Sequence, residues 1–102
     1  MAVVAQVVWP GLTAEQYDQL SDVVGWEREV PPGLILHVAS FSPAEGAHLM
    51  SVWESEETAR RFSEDRLLPG AQQVGIAGAP EGRFPEGGRF QPVHALFTPA
   101  GL

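Results

Sequence analysis

The chain has no cysteine, no lysine and no asparagine among its 102 residues. Without cysteine there is no disulfide framework, no thiolate nucleophile and no cysteine-type metal site, which agrees with a cytoplasmic location. Without lysine, six arginines face thirteen acids and the net charge is −7. No basic stripe remains to neutralise phosphates, so nucleic acid and anionic membranes are not expected partners. A basic region ahead of the first apolar run is also missing, and no apolar run approaches the length of a membrane span, so neither a leader nor an anchor is expected. Internal repeats of solenoid length are absent too. What is present is 44% hydrophobic and 19% charged residues. That balance fits a single compact domain spanning residues 1–102.

The valine-rich run from Ala2 to Trp9, closed by Pro10-Gly11, predicts a first strand. A helix should follow: Thr13 caps it, Gln16 completes a capping box, Leu12 can staple onto Tyr17, and Gly25 stands where the helix should end. Its buried stripe is expected to be Tyr17, Leu20, Val23 and Val24. Trp26 to Gly33, with two prolines, reads as an irregular connection. Leu34 to Phe41 and Ala47 to Glu54 read as a hairpin about the loop Ser42 to Gly46. Ser55 then caps a second helix whose first turn carries Glu56 and Glu57, where the helix dipole favours them. Ala59 and Phe62 should face inward, and Pro69 should stop or kink the helix, with one more short turn possible before Gly75. Gly78 to Gly88 is expected to be the loosest segment. It lacks the lysine and the strand-to-helix setting of a phosphate loop, and reads as a flap or a linker. A last strand is expected from Phe90 to Phe97, with Pro92 placing it at an edge or near its start.

Strand, helix, strand, strand, helix, strand is the split βαβ order, an α+β ferredoxin-like βαββαβ domain with two helices on one face of a four-stranded antiparallel sheet. The hairpin register sets Phe41 against Ala47, Ala39 against Leu49, His37 against Ser51 and Ile35 against Trp53. Leu36, Val38, Met50 and Val52 form a uniformly apolar set, expected to lie under the helices. The other face would then be bare. It would carry Ile35, His37, Leu49, Ser51 and Trp53, with Val4 and Gln6 from the first strand and His94 and Leu96 from the last. So much apolar surface calls for a cover, most simply a second copy packed sheet on sheet.

Val52-Trp53-Glu54-Ser55-Glu56-Glu57 followed by Phe62, with Pro10-Gly11 and Val93-His94-Ala95-Leu96-Phe97, resembles the dimeric α/β-barrel superfamily and, within it, the small antibiotic-biosynthesis-monooxygenase-like proteins. The resemblance covers nearly the whole chain by element order. It implies a homodimeric barrel that takes a small aromatic or polyketide-like ligand, as a cofactor-independent monooxygenase or cyclase or as a non-catalytic binding or accessory protein. The oxygenase branch relies on an asparagine and a tryptophan, and here only Trp53 is available. Haem-degrading relatives use a histidine on a helix, whereas all three histidines here fall on predicted strands, so haem is not expected.

His37 and His94 are the candidates for acid–base catalysis, since imidazole titrates near neutrality and a strand holds it rigidly. A hydrogen-bonded packing histidine is the competing reading. Gln6, Leu49, Ser51, Trp53 and Leu96 are the candidate substrate-binding residues, with Trp53 either a stacking wall or plain packing. Ser51 lacks the strained turn of a hydrolase nucleophile. His48 alternates to the face opposite His37, which argues against one metal held by three histidines. No metal and no organic cofactor are expected.

Overall fold

The computed structural model describes residues 1–76 and 89–97. Strands β1 (Val3–Trp9), β2 (Leu34–Ser42), β3 (Gly46–Trp53) and β4 (Arg89–Pro92) form one four-stranded sheet in the order β2-β3-β1-β4. All three pairings are antiparallel. Helix α1 (Ala14–Val24) joins β1 to β2, and α2 (Glu56–Phe62) follows β3. This is the expected α+β ferredoxin-like arrangement.

Helix α1 begins as its sequence dictates. The Thr13 hydroxyl accepts from the Gln16 amide at 3.1 Å and the Gln16 side chain accepts from the Thr13 amide at 3.0 Å, so both donors of the capping box are satisfied. It ends at Gly25, whose φ of +75° closes the helix with its amide on the Ser21 carbonyl. The Ser55 hydroxyl accepts from the Thr58 amide and starts α2. Pro69 does not stop this second helical segment. A π-helical turn, Ser63–Leu67, shifts the hydrogen-bond register just ahead of the proline, and α3 (Leu68–Gln73) carries Pro69 in its first turn, where a missing N–H costs least.

The hairpin pairing matches expectation at Phe41–Ala47, Ala39–Leu49 and His37–Ser51. It extends one pair further, to Ser42–Gly46, so the turn is Pro43, Ala44 and Glu45. At the other end a register shift between Leu34 and Leu36 places Leu34, not Ile35, opposite Trp53, and Ile35 is 45% exposed. Gly46 has φ +90° and lies against β1 so closely that a Cβ there would sit 2.5 Å from the Trp9 carbonyl oxygen.

The sheet faces are reversed relative to the sequence reading. Leu49, Ser51 and Trp53 are buried beneath the helices, as are Trp9 and Ala47. Leu20 and Val24 of α1 and Ala59 and Phe62 of α2 complete that core, while Val23, expected in the stripe, is 36% exposed. Leu36, Val38, Met50 and Val52 are on the uncovered face. The physical reason is size. Ala5, Ala39, Ala47 and Ser51 leave room for the helix axes to approach the sheet, and the large side chains Trp9 and Trp53 fill the two ends.

Strand β4 is shorter than expected. Its last pairing sets Pro92 opposite Val3, so further residues would run past the start of β1. The Val93 amide still reaches the Ala2 carbonyl, and beyond it residues 94–97 leave the sheet. The expected loose segment Gly78 to Gly88 lies outside the described residues. None of the helices among the described residues is long and apolar enough to cross a membrane.

Candidate acid–base site

Four of the residues singled out in the sequence, His37, Leu49, Ser51 and Trp53, come together on the helix-covered face. Gln6 pairs with Met50, so it lies on the opposite face and is exposed, corrected by the two-residue alternation of β1. His94 and Leu96 lie beyond the end of β4, both exposed, instead of on a strand facing His37. The expected grouping therefore loses these three members.

His37 is held at both ring nitrogens. Its Nε2 is 2.7 Å from the Tyr17 hydroxyl and its Nδ1 is 2.8 Å from the Ser51 hydroxyl. Helix α1 presents Tyr17 from its inner stripe, and β3 presents Ser51 directly across the ladder from His37. Trp26 stacks on the imidazole with ring centres 4.0 Å apart and planes 16° from parallel. The aromatic contacts continue from Trp26 to Phe62 at 4.5 Å and from Phe62 to Trp53 at 5.3 Å. On the other side Tyr17 meets Phe41 edge-on at 5.8 Å. His37 thus sits within a line of rings crossing the helix–sheet interface.

Burial sets the electrostatics. Removing water disfavours the imidazolium and lowers the His37 pKa to about 4, so the ring is neutral at neutral pH. The Tyr17 phenol is raised above its ordinary value, by burial first and then by the charges of Asp18 and Glu27, and stays protonated. A neutral imidazole has one N–H and one lone pair, so one of the two hydroxyls must donate to it and the other accept.

Two features of this site were not read from the sequence. Tyr17 was assigned only to packing, although an inward tyrosine on a helix brings a polar tip into the core. Trp26 was assigned to an irregular loop. Arg66 fixes that loop: its Nη2 donates to the carbonyls of Val24 at 2.6 Å, Gly25 at 3.3 Å and Glu29 at 2.7 Å. The guanidinium thereby satisfies the carbonyl end of α1 and anchors both sides of Trp26. The indole N–H of Trp26 is buried without a hydrogen-bond partner.

Two open clefts are lined by described residues, and His37 lines neither. One, of about 520 Å³, lies between the Pro10–Ala14 turn and the Phe41–Gly46 hairpin end. The other, of about 290 Å³, is lined by Asp18, Asp22, Trp26, Glu27 and neighbouring residues at the end of α1. Among the described residues no group of three or more histidine or acidic side chains is placed to hold a metal ion.

No protein-family model matches the chain, and no curated protein matches it. Among solved structures it is similar to a candidate antibiotic biosynthesis monooxygenase from Chloroflexus aurantiacus J-10-fl, with a TM-score of 0.50 and 19% identity over 94% of this chain and 95% of that one. At this identity the likeness is one of fold, and it extends over nearly the full length of both chains.

Proposed function

We propose that the protein processes a small aromatic or polyketide-like molecule by proton abstraction, with the His37 imidazole as the proton acceptor and without an organic cofactor. The observation that carries this reading is the neutral imidazole held between the Tyr17 and Ser51 hydroxyls and stacked on Trp26. Such a ring can accept a proton at neutral pH. The imidazolium that forms keeps Ser51 as a hydrogen-bond acceptor and lies against the face of Trp26, which stabilises a cation.

The substrate class we propose is one that suits a weak base walled by rings. It is a methylene or methine flanked by aryl or carbonyl groups, as in an anthrone, whose carbanion delocalises as an enolate. In the monooxygenase form the enolate reduces dioxygen, the resulting hydroperoxide loses water, and CH₂ plus O₂ becomes C=O plus H₂O. In the cyclase form the same enolate attacks a carbonyl of its own chain. Anthrone turnover under oxygen, followed by quinone absorbance and oxygen uptake, tests the reading. Wild-type activity lost in His37→Gln supports it, and an inactive wild type that does not bind such compounds refutes it.

A second reading, a non-catalytic binding or accessory barrel, is favoured by one observation: both His37 nitrogens already have protein partners, and neither cleft reaches them. Binding without turnover, unchanged in His37→Gln, is its signature.

The uncovered sheet face supports a homodimer under either reading. Val4, Val8, Leu36 and Met50 are half-buried there and Val38 is 43% exposed, while Gln6, Ser40 and His48 supply polar groups. A second copy packed sheet on sheet would remove that apolar surface from water.

A further inference from the structure

We infer that the Tyr17 hydroxyl, and not the imidazole itself, is the atom that exchanges a proton with the bound molecule, which approaches from the Phe41 side as an uncharged planar aromatic. This rests on the acid–base reading above and specifies its first contact. Ser51, His37 and Tyr17 form a chain of hydrogen bonds running outward: Ser51 is buried at 8% exposure, and Tyr17 on α1 is its outermost member. Nothing reaches Nε2 without displacing the phenol that already occupies it.

The relay uses the tautomer in which Tyr17 donates, one of the two that these hydrogen bonds allow. The Tyr17 phenol is held in its protonated form. Its O–H has one hydrogen-bond partner among the described residues, His37 Nε2. Donation to Nε2 puts the imidazole proton on Nδ1, where it donates to Ser51 Oγ. In this tautomer the imidazole lone pair points at Tyr17. When a carbon acid or phenol gives its proton to Tyr17 Oη, the Tyr17 proton passes to Nε2, the substrate keeps the bonding electron pair as an enolate or phenolate, and the imidazolium retains its Nδ1–H bond to Ser51. The relay neither gains nor loses a proton beyond the one abstracted.

The approach side follows from the rings. The Tyr17 ring meets Phe41 edge-on, and Phe41 is 41% exposed and lines the cleft of about 520 Å³. That volume falls within the usual range for small-molecule sites. Phe41 stands four residues along β2 from His37, roughly 13 Å away at the strand repeat. A molecule stacked at Phe41 is one ring contact from Tyr17 and two from His37. Glu45 is the one charged residue lining this cleft, so no cationic side chain in it pairs with an anion. This selects neutral phenols and ketones over carboxylates.

Nitrogen-15 NMR of histidine-labelled wild type, Tyr17→Phe and His37→Gln, with 1,8-dihydroxyanthraquinone as probe and anthrone as substrate, tests the relay. The wild type is expected to show a protonated Nδ1 and an unprotonated Nε2, with Nε2 shifting when the probe binds. Tyr17→Phe preserves the ring packing; it should bind the probe, leave Nε2 unmoved, and turn over anthrone about 100-fold more slowly, as His37→Gln should. A protonated Nε2 in the resting wild type, a probe-induced Nε2 shift that persists in Tyr17→Phe, or undiminished turnover by Tyr17→Phe would overturn the relay while leaving the acid–base reading standing. A wild type that neither binds the probe nor oxidises anthrone removes both.

Discussion

The two faces of the sheet both carry apolar side chains but differ in kind. The helix-covered face alternates small and very large side chains, Ala5, Ala39, Ala47 and Ser51 between Trp9 and Trp53, and includes the one histidine that is locked at both nitrogens. The uncovered face is built of medium aliphatics, Val4, Val8, Leu36, Val38, Met50 and Val52, of which only Val52 is buried. Shape, more than polarity, decides which face receives helices. Small residues let helix axes approach and leave the gaps that Tyr17, Trp26 and Phe62 fill, whereas a smooth aliphatic face suits another sheet.

The largest expected effect breaks this comparison outright. Trp53→Asp places a carboxylate at a position 3% exposed against Phe62, without a partner, and should abolish cooperative folding in circular dichroism. Val38→Asp on the uncovered face should keep the far-ultraviolet spectrum and, if two copies pack there, yield a monomer by light scattering. A folded Trp53→Asp protein would show that the faces have been assigned the wrong way round.

Gly46→Ala comes next. With φ at +90° and a Cβ 2.5 Å from the Trp9 carbonyl oxygen, β3 and β1 must separate at the end where the cleft lies. A loss of about 2 kcal/mol or more is expected by chemical denaturation, with the midpoint changed and the slope retained.

The smallest effect is a pH dependence confined to the covered face. The His37 pKa is about 4 when folded and about 6.5 in the unfolded chain, so between these values the unfolded state binds more protons. The stabilising contribution is full above about pH 6.5 and is lost as the pH falls to about 4, a change on the order of 2 kcal/mol after allowance for the partial exposure of the ring. In His37→Gln that component of the acid slope should vanish from denaturation midpoints measured across this window.

Much of the fold was legible because its signals are local. The capping box at Thr13 and Gln16, the terminating Gly25, the Ser55 cap and the hairpin register each follow from a few adjacent residues. The site was legible only in part, since His37 opposite Ser51 is a matter of register while its third partner arrives from α1. Nothing near Tyr17 in the chain announces a histidine twenty residues on. The face reversal arose from reading polarity alone, which assigned His37 and Ser51 to the exposed side. His94 was displaced by a fact of counting: β4 pairs with β1 so close to its start that the sheet ends at Pro92.

The central claim is that His37 is a neutral, doubly hydrogen-bonded imidazole enclosed beneath the helices. Titration of its ring resonances by NMR, assigned through the His37→Gln variant, tests this most directly. A midpoint near 4, with the neutral ring persisting through pH 6, is the predicted result. A midpoint at the ordinary histidine value of about 6.5 would contradict it, because a ring that protonates as freely as in water is not enclosed between Trp26 and the sheet.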